Sequence, residues 1–241
     1  MCQWGLAEEG ITDMKSDYTI YDVDIVMCID ATGSMGPLLD LVKNQAKNLY
    51  KDIQNKMQEK DKYIDNLHVR IVMFRDYLAD GDEAMRTSAF LRLPEQEDAF
   101  CQLIDSIKCI GGGDILEDGL EALGYAIRSR WSEKKDNKLR QIIVVWTDDG
   151  THEIGYGKAA PNYPSNMAKS FAELTRWWGY GQMTGYMDND AKRLLLYAPL
   201  KDYWTTIANT WDNTMLFETE TGSGWDKLTY EEILDAIAGS I

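Results

Sequence analysis

Three stretches of the 241-residue chain carry side chains suited to holding a hard cation. They are Asp30-Ala31-Thr32-Gly33-Ser34, Gly111-Gly112-Gly113-Asp114 and Thr147-Asp148-Asp149-Gly150. Each offers carboxylate or hydroxyl oxygen, and none offers a histidine or a thiolate. Donor sets made of oxygen alone suit Mg2+, Mn2+ or Ca2+. In the first stretch the polar residues alternate, so Asp30, Thr32 and Ser34 point one way if the backbone stays extended. Gly33 and Gly36 are expected to let the backbone turn tightly around the ion. The N-terminus of the helix that follows repels a cation through its dipole, so the carboxylates must outweigh it. For this stretch alone a plainer reading is open: Thr32 and Ser34 are residue types that cap helices. Capping explains neither Asp30 at the end of an apolar run nor the acids of the other two stretches.

The elements needed to bring these stretches together are legible as a pattern. Residues 22–29, "DVDIVMCI", and 139–146, "LRQIIVVW", are nearly continuous apolar runs of the kind that form buried parallel strands. Both end in loops rich in acid and hydroxyl, where open α/β sheets bind their ligands. Leu38, Val42, Leu49, Ile53 and Met57 predict one helix opened by Pro37. "LHVRIVMFRDY" and "TSAFLRL" read as a strand pair joined by a hairpin. A helix begins in "PEQEDAF". Leu116, Leu120, Leu123, Ile127 and Trp131 mark another. Ser165 is expected to cap a helix running through Trp178, and Asp202 one over "YWTTIANTW". "AKRLLLYAP" and "NTMLFET" supply two last strands, and Thr229 with Glu232 a capping box for the final helix. Strands alternating with helices predict an α/β three-layer sandwich with a mostly parallel central sheet and helices on both faces. Residues 1–19 read as a leader segment and residues 20–241 as a single domain.

Charge narrows the choice of partner. Lys and Arg number 25 against 40 Asp and Glu, a formal net charge of −15. Nucleic acid and anionic membrane are disfavoured by such a surface, and cations or other proteins are favoured. Only two histidines, His68 and His152, and four cysteines without a CxxC pair argue against a zinc cluster. "MCQWGLAEEG" has neither a basic start nor an apolar run, and no window reaches membrane-spanning length. A reduced, cytoplasmic protein is the expectation.

"DIVMCIDATGSM" resembles the opening of a von Willebrand factor A (VWA) domain, whose metal-ion-dependent adhesion site begins Asp-x-Ser/Thr-x-Ser. "GGGDILEDGLEAL" and "IIVVWTDDGTHE" are similar to its second and third loops. The resemblance implies a Rossmann-like sandwich with one antiparallel edge strand and a divalent cation held by the three loops. It further implies that Thr32 and Ser34 ligate the ion through their hydroxyls, with Asp30 acting through water or accepting hydrogen bonds from the ligands. Asp148 is then the last-loop acid, with Asp149 as the alternative. In the middle loop Asp114 stands where the family usually has threonine. That loop, with "FRDY" at 74–77, is similar to a VWA subgroup linked to alpha-type kinases. An aspartate there adds charge around the ion and lowers its electrophilicity toward a partner carboxylate, so the ion is expected to be at least partly structural. Asp76 is a possible outer-layer acid near the ion or one half of a surface Arg–Asp pair.

Glu117 and Asp118 are expected to open a helix, and His152 to be a solvated loop residue. Of Trp177 and Trp178, one belongs to the core. The loop aromatics Tyr156, Tyr163, Tyr180 and Tyr186 form a candidate contact surface. The resemblance implies a bacterial-style, non-catalytic assembly or regulatory subunit that binds a divalent cation and docks to another protein. The alternative is a metal-dependent, phosphatase-like hydrolase using the same acids. "DVDIV" resembles a dehalogenase-type phosphatase motif, but its acids precede the strand instead of ending it.

Overall fold

The computed structural model of the protein describes residues 18–111, 116–181, 183–222 and 228–241. Asp114, and most of the expected leader, lie outside the described residues. The strands are β1 (Thr19–Asp30), β2 (Lys62–Phe74), β3 (Met85–Thr87), β4 (Leu91–Leu93), β5 (Lys138–Trp146), β6 (Lys192–Ala198) and β7 (Thr214–Glu218). They form one sheet in the order β3-β2-β1-β5-β6-β7, with β4 also paired to β2. β1, β2, β5, β6 and β7 run parallel, and β3 and β4 run antiparallel to β2.

Both faces of the sheet are covered. Val23, Ile25, Met27 and Ile29 of β1 face one apolar layer. That layer contains α1 (Gly36–Gln45), α2 (Leu49–Gln58), α4 (Glu97–Ser106) and α8 (Tyr230–Ser240). Val26 and Cys28 face the other layer, with α5 (Gly119–Ile127), α6 (Phe171–Trp178) and α7 (Trp204–Thr210). Strict alternation in a strand buried on both sides explains the nearly continuous apolar run. A short helix, α3 (Tyr77–Asp80), follows β2.

Several local expectations change. The single helix after Pro37 is two, separated by a 3-10 turn over Ala46–Asn48. Ala46 is buried inside that turn, so core packing overrides residues that would otherwise continue a helix. β2 and the next strand pair antiparallel as expected of a hairpin, but the link holds α3 and a 3-10 turn, and the antiparallel edge is divided between β3 and β4. α5 is shorter than its apolar spacing predicts: Leu116 precedes it and Trp131 follows it, with the indole donating to the Ile127 carbonyl at 3.0 Å. α6 starts at Phe171 because Ser170, not Ser165, accepts from the Glu173 amide at 3.2 Å. Asp202 does not cap α7 through its side chain; its backbone carbonyl accepts from the Trp204 amide at 2.6 Å. The capping box of Thr229 and Glu232 on α8 is present as expected.

Candidate metal centre

Register builds this site. β1 and β5 pair Ile29 with Trp146, so the next residues, Asp30 and Thr147, emerge side by side. The Thr147 hydroxyl donates to Asp30 Oδ2 at 2.9 Å. Asp30 Oδ1 accepts from the Thr32 amide at 2.9 Å and from the Thr32 hydroxyl at 2.7 Å. Thr32 Oγ1 lies 3.5 Å from Ser34 Oγ, and the Ser34 side chain lies beside Asp148 and favours its charged form. A run of oxygens therefore crosses both strand ends, Thr147, Asp30, Thr32 and Ser34, with Asp148 beside it.

Neither Thr32 nor Ser34 caps the following helix. Thr32 precedes a 3-10 turn without a side-chain cap bond, and α1 has none either. The hydroxyl of Thr32 is turned onto Asp30 instead. Gly33 and Gly36 do not serve the tight turn expected of them. Neither has a left-handed φ, and a Cβ at either would meet nothing within 4 Å. Open space, not strain, is what these two glycines provide in front of the loop.

The two carboxylates of the site differ in their surroundings. Asp30 is fully buried, and burial pushes it up to about 6 with a further contribution from the Asp148 charge, against the hydrogen bonds from Thr32 and Thr147. Burial also raises Asp148, opposed by the Ser34 hydroxyl. Asp148 Oδ2 is buried without a hydrogen-bond partner. Asp149 faces elsewhere: its Oδ1 pairs with the Lys201 ammonium and accepts from the Gly150 amide at 2.6 Å. Among the described residues no group of three or more His, Cys, Asp or Glu side chains forms a metal cage. The described donors are two carboxylates with hydroxyls between them, a set that suits a hard cation and leaves at least one buried carboxylate oxygen to be satisfied.

Arg75 was missed by sequence reasoning beyond its place in "FRDY". It is buried, and its Nε donates to the Ala31 carbonyl at 3.0 Å and its Nη2 to the Lys108 carbonyl at 2.6 Å. The Ile110 amide donates to the same Ala31 carbonyl at 3.1 Å, and the Asp118 amide to the Arg75 carbonyl at 3.1 Å. One side chain thus ties the first loop to the described base of the middle loop. At Gly111 the residue type is required: φ is +83° and a Cβ would sit 2.3 Å from Asp80 Oδ1.

Asp76 is not half of a surface pair with Arg75, since both are buried. It caps α3, accepting from the Leu78 amide at 2.6 Å and the Ala79 amide at 3.3 Å, and its Oδ2 lies 3.6 Å from His152 Nε2. His152 is buried rather than solvated, stacked on the Tyr156 ring at 3.7 Å. Asp118 precedes α5 but does not cap it; its carboxylate accepts from the Tyr77 amide at 2.6 Å. Trp178 is the core tryptophan of its pair. Beside the third loop a cleft of about 660 Å³ is lined by residues including Gly150, His152, Tyr156, Leu200 and Lys201.

A parallel sheet between helical layers, with its polar loops at the carboxyl ends of adjacent strands, defines a class of domain that comparison with known proteins identifies. The model of the von Willebrand factor type A domain matches residues 24–175, and the chain belongs to that family. An ariadne-like RING finger protein, by name, of Acanthamoeba polyphaga mimivirus is 27% identical over 152 residues, covering 62% of this chain and 12% of that protein. The SpaC pilus adhesin of Lactobacillus rhamnosus GG has a similar fold, with a TM-score of 0.50 at 14% identity over 91% of this chain and 30% of that one. The chain thus spans less than a third of either protein's length. VWA domains are a family of protein-interaction modules. No helix among the described residues is long and apolar enough to cross a membrane.

Proposed function

We propose that this VWA domain holds a divalent cation, Mg2+ with Mn2+ or Ca2+ as alternatives, and acts as a non-catalytic assembly or regulatory subunit that docks to another protein in the cytoplasm. The observation that carries this reading is the buried, unpartnered Asp148 Oδ2 at the end of the Asp30–Thr32–Ser34 oxygen chain. Thr32 and Ser34 would present their hydroxyl oxygens to the ion and Asp148 its carboxylate. Asp30 accepts hydrogen bonds from the Thr32 and Thr147 hydroxyls, which leaves hydroxyl lone pairs directed away from it. Asp114 is proposed as the ligand from the middle loop, in keeping with the likeness to the subgroup linked to alpha-type kinases. A bound cation supplies positive charge that offsets two desolvated carboxylates and attracts oxygen donors.

Partner selection falls to the surface around the site. Tyr156 and Leu200, exposed at 43% and 56%, border the cleft beside the third loop. Aromatic and apolar groups around a polar centre are the composition of a protein contact surface. The test has two parts. Calorimetric titration of the metal-stripped chain with Mg2+, Mn2+ and Ca2+ should show one site, weakened at least about tenfold by Asp148→Asn. Affinity capture with and without chelator should then recover a partner that depends on the ion. Absence of any divalent-ion binding would sink the reading.

A further inference from the structure

A second charged feature sits at the other edge of the sheet, where the parallel strands begin. Tyr21 of β1 is buried, and three cations surround its ring. Lys62 Nζ, the first residue of β2, is 5.4 Å from the centroid, Arg140 Cζ of β5 is 5.4 Å away, and Lys138 Nζ, which opens β5, is 5.7 Å away. Lys60 and Arg193 extend the cluster. Burial lowers the Lys62 pKa, and the charges of Lys60, Arg140 and Lys138 lower it further. Burial and Arg140 likewise lower that of Arg193, against the nearby Asp190 carboxylate.

Among the described residues these cations are not balanced. Among the described residues no carboxylate forms an ion pair with Lys62, Lys138 or Arg140. Arg140 donates from Nη1 to its neighbour's carbonyl, Leu139, and its Nε is buried without a partner. Asp22, the next residue of β1, accepts from Asn66 at 2.7 Å and Asn137 at 3.0 Å and forms an ion pair with none of the three cations. Attraction to the Tyr21 ring contributes about 0.5–1 kcal/mol per cation at such sites, which offsets only part of the repulsion among them. Among the described residues the fold gathers positive charge here without carboxylate partners, although the chain as a whole carries −15.

We propose that the Tyr21 cluster is a binding site for a compact phosphate-bearing anion. A single carboxylate would leave the three ring-bound cations two charges in excess, whereas a phosphate dianion or a diphosphate brings them near neutrality. The Arg140 guanidinium offers a planar fork for phosphate oxygens, and the two lysines act as mobile point charges on either side. An extended polyanion such as nucleic acid is repelled by the acidic remainder of the surface, while a compact one meets only the local field. The phosphate has two possible sources, a free small molecule or a phosphorylated side chain of a partner.

The test uses the full chain stripped of divalent ions on a chelating resin, at about 50 mM salt so that surface charge is only partly screened. Inorganic pyrophosphate, ATP and a phosphoserine peptide with its unphosphorylated twin are titrated by calorimetry. Pyrophosphate should bind, and Lys138→Ala and Arg140→Ala should each weaken it at least about tenfold. Lys138 is exposed, so its variant keeps the fold, which melting of each variant by circular dichroism checks. Asp148→Asn should leave pyrophosphate binding unchanged, which separates this site from the ion site. The tighter of ATP and phosphopeptide names the source. The proposal is overturned if no phosphate compound binds, if both cation variants bind like the parent chain, or if a single-stranded oligonucleotide binds at least as tightly as pyrophosphate.

Discussion

Asp148 and Asp149 are neighbours in the chain, yet the Lys201 ammonium pairs only with Asp149. The Asp149 carbonyl is also occupied, by the Trp204 indole at 3.0 Å. If the proposed centre is right, the two acids respond differently to the same substitution. Asp149→Asn should change Mg2+ affinity by less than about threefold, because its charge is already compensated. Asp148→Asn should lose at least about tenfold in the same titration. A reversal of that order would mean that the third loop uses its second acid. Asp114 belongs to this scale too. Asp114→Thr removes a full negative charge, and the Mg2+ and Ca2+ dissociation constants should rise by about tenfold or more. Affinity that stays level or improves would show that the middle-loop aspartate does not hold the ion.

At the scale of elements, Arg75 joins pieces that the sheet alone leaves separate. β2 ends at Phe74, and the next residue reaches across to carbonyls of the loop after β1 and the loop after α4. Arg75→Met keeps most of the apolar stem but removes the charged donor from both carbonyls, leaving Ala31 with the Ile110 amide alone. Urea denaturation should report a loss of about 3 kcal/mol, at the upper end for hydrogen bonds to a charged group. Arg75→Lys cannot span both carbonyls and should recover only part of it. α8 offers a milder contrast. Its capping box is exposed, and Thr229→Ala should cost about 1 kcal/mol in the same assay without touching ion affinity.

At the scale of the whole molecule, a buried acidic group sets a pH dependence. Asp118 is fully buried, and burial pushes it up to about 7 from the ordinary 3.8, with Glu121 and Asp76 adding to the shift. Burial raises Glu121 as well, against hydrogen bonds from the Gly155 amide at 2.7 Å and the Tyr163 hydroxyl at 2.8 Å. A carboxylic acid raised in the folded state holds a proton that the unfolded chain releases. Its contribution to stability is complete below about pH 4 and is lost as the pH rises through about 7. Between pH 5 and 7 this group should lower the unfolding free energy by up to about 1.4 kcal/mol per pH unit. Asp118→Asn mimics the neutral acid, keeps an acceptor for the Tyr77 amide, and should flatten that slope in denaturation measured without divalent ions. An unchanged slope would remove Asp118 as its origin.

Residue types and spacing were enough to read the parallel strands, the layered fold, the capping box on α8 and the three polar loops, because alternation and helical periodicity are local properties. The family resemblance rested on those same short stretches. What stayed illegible depends on contacts between distant residues. Whether Thr32 turned toward its helix or toward Asp30 was open in sequence, and the β1–β5 register decides it by placing Thr147 and Asp148 beside the first loop. The start of α6 was signalled by Ser170 and Glu173, yet one good cap does not exclude another a few residues away. His152 read as solvated because nothing nearby in the chain announces Asp76 or the stacked Tyr156 ring. Lys62, Lys138 and Arg140 carry no mark in sequence as a group, since Lys62 opens β2 while the other two lie in β5, over 70 residues on. Sequence determined which chemical groups stand at the ends of which strands. Tertiary structure decided which of them meet, because register and burial join residues more than a hundred positions apart and set which charges are answered.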